Sequence, residues 1–280
     1  MNNLLRTLVY DNQVSLTVCD ATAIAKEGVK LHALSKDAAL VFSKTLAAMT
    51  FMSACLKNER GEISLAVKSD GACGDIGISG NRALHLRGYL YPTDAVGDEG
   101  SVFGENGALT IIRDDGYNMP FVGSCAIKNG SVDDSFEEYF AISEQLPTRF
   151  KTAVEFDEKG NLIFCGVAVL QPLPFADEST LERVDAFPLD CLLNDLKTLS
   201  LSACIEKYFE EKTSVWEERQ ARYQCNCSRE YVSRVIVSLG KAQAQEIIKE
   251  EGALRVHCHY CNTDHEFNET DAEEIFEKAK

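Results

Sequence analysis

The 280-residue chain contains no run of eighteen apolar residues, so no stretch is long and greasy enough to cross a bilayer as a helix. It also lacks positive charge: 28 Lys and Arg stand against 44 Asp and Glu, a formal net charge of −16. Phosphate backbones are held by clustered Lys and Arg, so nucleic acid is not expected as a partner, and neither is a membrane. Histidine is scarce, with five in all, and three of them (His257, His259 and His265) fall in one short stretch. There is no Gly-x-Ser-x-Gly elbow and no His-Glu-x-x-His pair. The loop Gly71-Ala-Cys-Gly74 has neither the glycine spacing of a dinucleotide fingerprint nor the Lys-Ser/Thr ending of a P-loop. Asp114-Asp115 and Asp133-Asp134 sit in turn contexts, where carboxylates are solvated rather than paired for acid–base work. No ordinary active site is legible, and the expectation is a protein that is not an enzyme. The first residues lack the charged lead and apolar core of a secretory signal, which points to a cytoplasmic protein.

Cysteine, by contrast, is plentiful. A reducing compartment disfavours permanent disulfides, so the eleven cysteines do not read as a structural framework. Seven are scattered singly: Cys19, Cys55, Cys73, Cys125, Cys165, Cys191 and Cys204. Most of these have apolar neighbours and read as small core residues. The other four are grouped as ligands are, Cys225-Asn-Cys227 and then Cys258-His-Tyr-Cys261. Zinc takes four thiolates tetrahedrally without a redox change of its own, so Cys225, Cys227, Cys258 and Cys261 read as one Cys₄ zinc site. With four thiolates available, the three histidines nearby are expected on the surface or as donors to the sulfurs. Three readings stay open: a constitutive binding protein with a static clip, a site built to come apart when oxidant turns thiolates into disulfides, or a thiol–disulfide oxidoreductase acting through Cys258 and Cys261. Four cysteines allow three pairings, and spacing alone does not choose among them.

The rest of the chain predicts an α+β protein. Alternating apolar residues in Leu4–Tyr10 and Val14–Cys19 predict strands. The stretch Ser35–Lys57 is apolar all round and predicts a central buried helix capped by Ser35. Strands are predicted in Ile63–Ser69, Leu84–Tyr91, Leu109–Arg113 and Phe121–Ile127, a helix over Asp133–Glu144, and a hairpin of Arg149–Phe156 with Leu162–Leu170. Two prolines in Gln171-Pro-Leu-Pro174 close this region, giving a large N-terminal domain of mixed sheets with packed helices over 1–175.

Residues 176–224 differ in character. Leu189, Leu192, Leu193, Leu196 and Leu199 recur at helical spacing, followed by Ile205, Tyr208, Phe209 and the lone Trp216. This predicts an amphipathic helical connector whose apolar stripe must dock on a neighbouring surface. The final segment, 225–280, is predicted to be a small zinc-binding domain with two helices, a hairpin carrying Cys258-x-x-Cys261, and a closing helix. A module this small buries little apolar surface and depends on its metal for stability.

Cys225-Asn-Cys-Ser-Arg-Glu230, Ser238-Leu-Gly240, and Cys258-His-Tyr-Cys261 with Phe267 together resemble the C-terminal module of the heat-shock protein 33 family of redox-regulated bacterial chaperonins. Arg87-Gly-Tyr89, Ser143-Glu-Gln-Leu-Pro147 and Gln171-Pro-Leu-Pro174 resemble that family in the same order, so the likeness spans the chain. It implies an ATP-independent holdase for unfolding client proteins, inactive when reduced and zinc-bound. It further implies that oxidation joins Cys225 to Cys227 and Cys258 to Cys261, ejects zinc, unfolds the C-terminal domain and frees the connector. Leu189, Leu192, Leu193, Leu196 and Trp216 would then belong to the switch or the client surface, and the active form would be a homodimer. Gly71-Ala-Cys-Gly74 departs from the Gly-Pro loop typical of the family. Cys191 and Cys204 look additional, so the roles of these two and of Cys73 stay open.

Overall fold

The computed structural model describes residues 2–209 and 216–278. The elements run β1 (Leu4–Val9), β2 (Val14–Asp20), α1 (Thr22–Leu31), α2 (Lys36–Ala54), β3 (Glu62–Ser69), β4 (Asp75–Asn81), β5 (His85–Tyr91), α3 (Glu99–Phe103), β6 (Gly107–Asp114) and β7 (Phe121–Ala126). Next come α4 (Val132–Tyr139), a π-helical turn at Phe140–Glu144, β8 (Arg149–Phe156), β9 (Leu162–Pro172), α5 (Glu178–Ala186), α6 (Leu189–Asp195) and α7 (Leu201–Tyr208). The chain ends with β10 (Trp216–Arg219), β11 (Arg222–Tyr223), α8 (Arg229–Leu239), α9 (Lys241–Glu251), β12 (Leu254–Cys258), β13 (Thr263–Phe267) and α10 (Glu269–Lys278). It divides into two compact units, Met1–Tyr223 and Gln224–Lys280.

The first unit is built from two sheets. One has the order β10-β1-β2-β9-β8, and the other β11-β5-β4-β3-β6-β7. The pairings are antiparallel except for β11 with β5, which is parallel. Helix α2 packs against strands of both sheets, which explains why it is apolar on every side. Ser35 caps it as its sequence predicts, the side chain accepting from Ala38 N at 3.2 Å. Phe42, Leu46 and Met49 of α2 share one core with Leu65, Val67 and Ile78 of one sheet and Leu4, Cys19 and Val167 of the other.

Strands β2 and β9 are buried on both faces: β9 reads as a near-continuous apolar run, while β2 keeps its alternation with Ser15 and Thr17 buried. Side chains on successive residues point to opposite faces. Cys165, Val167 and Val169 of β9 accordingly join the core around α2, while Phe164, Ala168 and Leu170 face a second cluster. That second cluster contains Leu5, Leu16 and Val18 on the sheet side, and Leu189, Leu192, Leu193, Leu196, Cys204, Ile205 and Phe209 from the helices above. The apolar stripe of the connector thus docks on the outer face of the β1-β2-β9-β8 region.

The end of the connector corrects the sequence reading. Trp216 does not continue the helical stripe: it opens β10, which pairs with β1 in the register Thr7↔Trp216. Its side chain is 42% exposed and its indole Nε1–H donates to Glu218 Oε1 at 2.8 Å. Leu199 is exposed as well, in the turn between α6 and α7. Residues 210–215, read as part of the helical connector, lie outside the described residues. Four-residue and two-residue strands such as β10 and β11 are too short to print a period, so only their pairing partners reveal them. Among the described residues no helix is long and apolar enough to cross a membrane.

Candidate metal centre

The second unit has a core of few side chains: Val232, Ile236, Ala244, Ile248, Leu254, Phe267 and Ala272. Two loops bring the cysteines to it. Cys227 immediately precedes Ser228, whose side chain accepts from Tyr231 N at 3.2 Å and starts α8. Cys258 ends β12, and Asn262, with φ of 53°, turns the chain so that its N–H reaches Cys258 O at 2.8 Å. Asparagine tolerates this left-handed conformation better than most residues. The hairpin then continues with Cys258 opposite Thr263. Arg229 locks α8 to β13 and α10: its guanidinium lies 4.2 Å from the centre of the Phe267 ring, donates to Glu266 O at 2.9 Å and pairs with Asp271 at 3.0 Å. Asn268 and Asp271 cap each other reciprocally, Asn268 N to Asp271 Oδ2 at 3.0 Å and Asp271 N to Asn268 Oδ1 at 2.9 Å.

The Sγ atoms of Cys225, Cys227, Cys258 and Cys261 all lie within 4.8 Å of one another. Cys225 Sγ is 3.7 Å from Cys258 Sγ, and Cys227 Sγ is 3.1 Å from Cys261 Sγ. Four thiolates around a zinc ion at about 2.3 Å would be spaced at about 3.8 Å, so the donor set and its dimensions fit a metal ion. Among the described residues this is the one cluster of His, Cys, Asp or Glu side chains that could hold one, and no histidine joins it. His257 Nδ1 instead meets Asp264 Oδ1 at 2.7 Å, with the His259 ring packed edge-on at 5.1 Å.

The electrostatics of these thiols also fit a cation. Burial pushes the Cys225 thiol up to about 11, and burial together with the neighbouring sulfurs raises Cys227 further. Cys261 moves the other way: burial opposes ionisation there, but contacts with Thr263 and the other three thiols outweigh it. Thiols raised as Cys225 and Cys227 are need positive charge nearby to become thiolates, and a bound metal would supply it. Thr263, whose Oγ1 lies 3.3 Å from Cys261 Sγ, was not singled out in the sequence. Its only signal there was its place two residues after the Cys-x-x-Cys turn.

The remaining predicted residues are distributed as follows. Leu189, Leu192, Leu193 and Leu196 come together against the sheet, and Trp216 is not among them. Cys73 and Cys204 are buried, and burial raises their thiols to about 12 and about 11 respectively. Cys191 is exposed.

Comparisons with known proteins identify what the whole chain is similar to. Residues 2–268 match the family model described as Hsp33 protein. A 33 kDa chaperonin of Bacillus mycoides (strain KBAB4) is 30% identical over 287 residues, covering 98% of each chain. One of Clostridium novyi (strain NT) is 26% identical over 293 residues, covering 100% of this chain and 99% of the other. The crystal structure of the 33 kDa chaperonin (heat shock protein 33 homolog) of Thermotoga maritima superposes with a TM-score of 0.84 at 22% identity, covering 99% and 98% of the two chains.

Proposed function

The chain belongs to the Hsp33 protein family, and from that premise we propose that it is a redox-regulated, ATP-independent holding chaperone for unfolding proteins. Its reduced, zinc-bound form is inactive. Residues 1–175 form the chaperone core and dimerisation domain, 176–224 the metastable connector, and 225–280 the redox-sensing zinc domain. It works in the cytoplasm, as a homodimer when oxidised, with no nucleic acid or membrane partner.

The observation that carries this reading is the convergence of four cysteine sulfurs within 4.8 Å in a unit with so small an apolar core. Cys225, Cys227, Cys258 and Cys261 would hold the zinc ion. Bound there, zinc keeps the sulfurs as thiolates and contributes on the order of 10–16 kcal/mol of folding free energy, comparable to the whole stability of a small domain. Each disulfide forms when two thiolates give up two electrons: hydrogen peroxide takes them with two solvent protons and leaves as two waters, and hypochlorous acid takes them with one proton and leaves as one water and chloride. A sulfur tied into a disulfide is no longer a thiolate ligand, so oxidation dismantles the site and removes the main support of the fold.

Pairing of Cys225 with Cys227 and of Cys258 with Cys261 is favoured by chain connectivity. Sequence neighbours stay close as the module loosens, whereas the cross contacts of the reduced form exist only while it is folded. The apolar cluster under α5, α6 and α7 is the natural consequence surface. Short helices hold only by packing, so a connector that lets go uncovers both its own leucines and the sheet face beneath.

The test compares suppression of client aggregation by reduced, metal-loaded protein with that by protein treated with peroxide under mild unfolding or with hypochlorous acid. Zinc release and disulfide mapping are read on the same samples. Activity only after oxidation, with zinc lost, supports the reading. Equal activity in both states with zinc retained, or catalytic turnover of an external disulfide, defeats it.

A further inference from the structure

Strand β11 contributes two residues to the sheet, Arg222 opposite His85 and Tyr223 opposite Leu86, with Arg222 N donating to Leu84 O at 2.9 Å. Beyond Leu86 the ladder is continued by a side chain. The Tyr223 hydroxyl donates to Gly88 O at 2.9 Å and accepts from Gly88 N at 3.2 Å, taking both backbone groups as a paired strand would. His32 Nε2 lies 3.2 Å from the same hydroxyl. With its proton on Gly88 O and one lone pair on Gly88 N–H, the hydroxyl has one acceptor position left, so His32 donates through a protonated Nε2.

The slot for the ring is made by a missing side chain. A Cβ on Gly28 would stand 2.9 Å from the Tyr223 ring and 2.5 Å from Phe42, so the ring fits only because position 28 has no side chain. The preceding residues are tied down in the same way: Ala221 N donates to Asn3 Oδ1 at 2.7 Å, Asn3 N donates to Arg219 O at 3.0 Å, and β10 pairs with β1. Only Gln224 separates Tyr223 from Cys225, the first candidate metal ligand.

We propose that Tyr223 is a positioning residue, a catch that holds the end of the connector on the first unit and sets the threshold for its release. Its hydroxyl seals the Gly88 backbone from water on the side where β11 runs out. While it is seated, loosening of the chain from Cys225 onward stops at Tyr223 and does not peel β11 and β10 away. The catch is a property of the first unit; its consequence for activity rests on the chaperone reading above.

Tyr223→Phe keeps the ring and removes the hydroxyl, leaving Gly88 N–H and C=O without that partner. Amide exchange in the reduced, zinc-loaded protein is then expected to rise roughly tenfold over residues 216–223, the size set by one lost network of part-buried hydrogen bonds. Exchange in α2 and β3 stays at parental rates, as do zinc content and the reactivity of the four cysteines. His32→Leu removes one partner of the hydroxyl and gives a smaller rise at the same amides. In the aggregation assay, Tyr223→Phe at a fixed oxidant dose becomes active at a lower temperature than the parent. Unchanged exchange over 216–223 in both variants, or a rise spread evenly over the first unit, overturns the catch. Faster local exchange with an unchanged activation temperature overturns its role as the threshold while leaving the chaperone reading intact.

Discussion

Replacing Leu192 by alanine separates the connector from the core it covers. Leu192 is fully buried in the cluster between α6 and the β1-β2-β9-β8 surface. Truncating a buried leucine to alanine costs about 2–5 kcal/mol, from lost burial plus the cavity left behind. The loss falls on a helix of seven residues, far below the length that is stable alone. The cheapest response is therefore local: α6 lets go while the two sheets around α2 stay folded. At about 3 kcal/mol, and 1.4 kcal/mol per factor of ten, amide exchange over α6 should accelerate by roughly a hundredfold. Binding of an apolar dye should rise in the reduced, zinc-loaded protein, and aggregation of a client should be partly suppressed without oxidant. Leu46→Ala is the matched control, equally buried but in the core shared by both sheets. The same loss there cannot be relieved locally and should lower the melting temperature by roughly 6–12 °C, at about 2–4 °C per kcal/mol for a unit of this size. If Leu192→Ala lowers the melting temperature as much as Leu46→Ala, with exchange over α5–α7 in step with the core, the connector is not a separable layer and the reasoning fails.

Three other outcomes are expected. Cys261→Ser removes one sulfur from the cluster, so zinc content after dialysis, read by atomic absorption, should fall below one per chain while the far-ultraviolet signal of the first unit persists. Chelation of the wild-type protein should abolish exchange protection in α8, α9 and the β12–β13 hairpin and leave α2 protected; retained protection in the second unit would show that its small core suffices without metal. Asp177 accepts from Thr180 N at 2.8 Å as the cap of α5, and hydrogen bonds from Ser179 and Thr180 hold its carboxyl down at about 2. A depressed folded value stabilises above the unfolded value near 3.9 and is lost as pH falls toward 2. Protection of α5 should therefore decline across that window in the parent and decline less steeply in Asp177→Asn, which keeps a capping oxygen that does not titrate.

Much of this protein was legible before its coordinates, for reasons that are local. The four terminal cysteines announce a cluster that could hold a metal ion because ligand chemistry needs particular atoms at a reachable spacing, and the folded chain brings all four together. Helix α2 announces its central position because a helix apolar on every side must be enclosed, and Ser35 marks its start. The likeness to the heat-shock protein 33 family rests on short motifs whose identity survives in the linear chain, and the family assignment agrees with it. What periodicity reports is which side of an element avoids water; it does not say what covers that side.

Only the tertiary structure decided that α6 rests on strands β8 and β9, since a stripe fits any apolar surface of matching shape. It also removed Trp216 from that stripe, because a four-residue strand takes its conformation from β1 across the ladder and not from its own pattern. The Tyr223 hydroxyl that completes the β5 ladder lies beyond any sequence rule: its partners, His32 and Gly88, are set by long-range packing and by Gly28, whose missing side chain makes room for the ring.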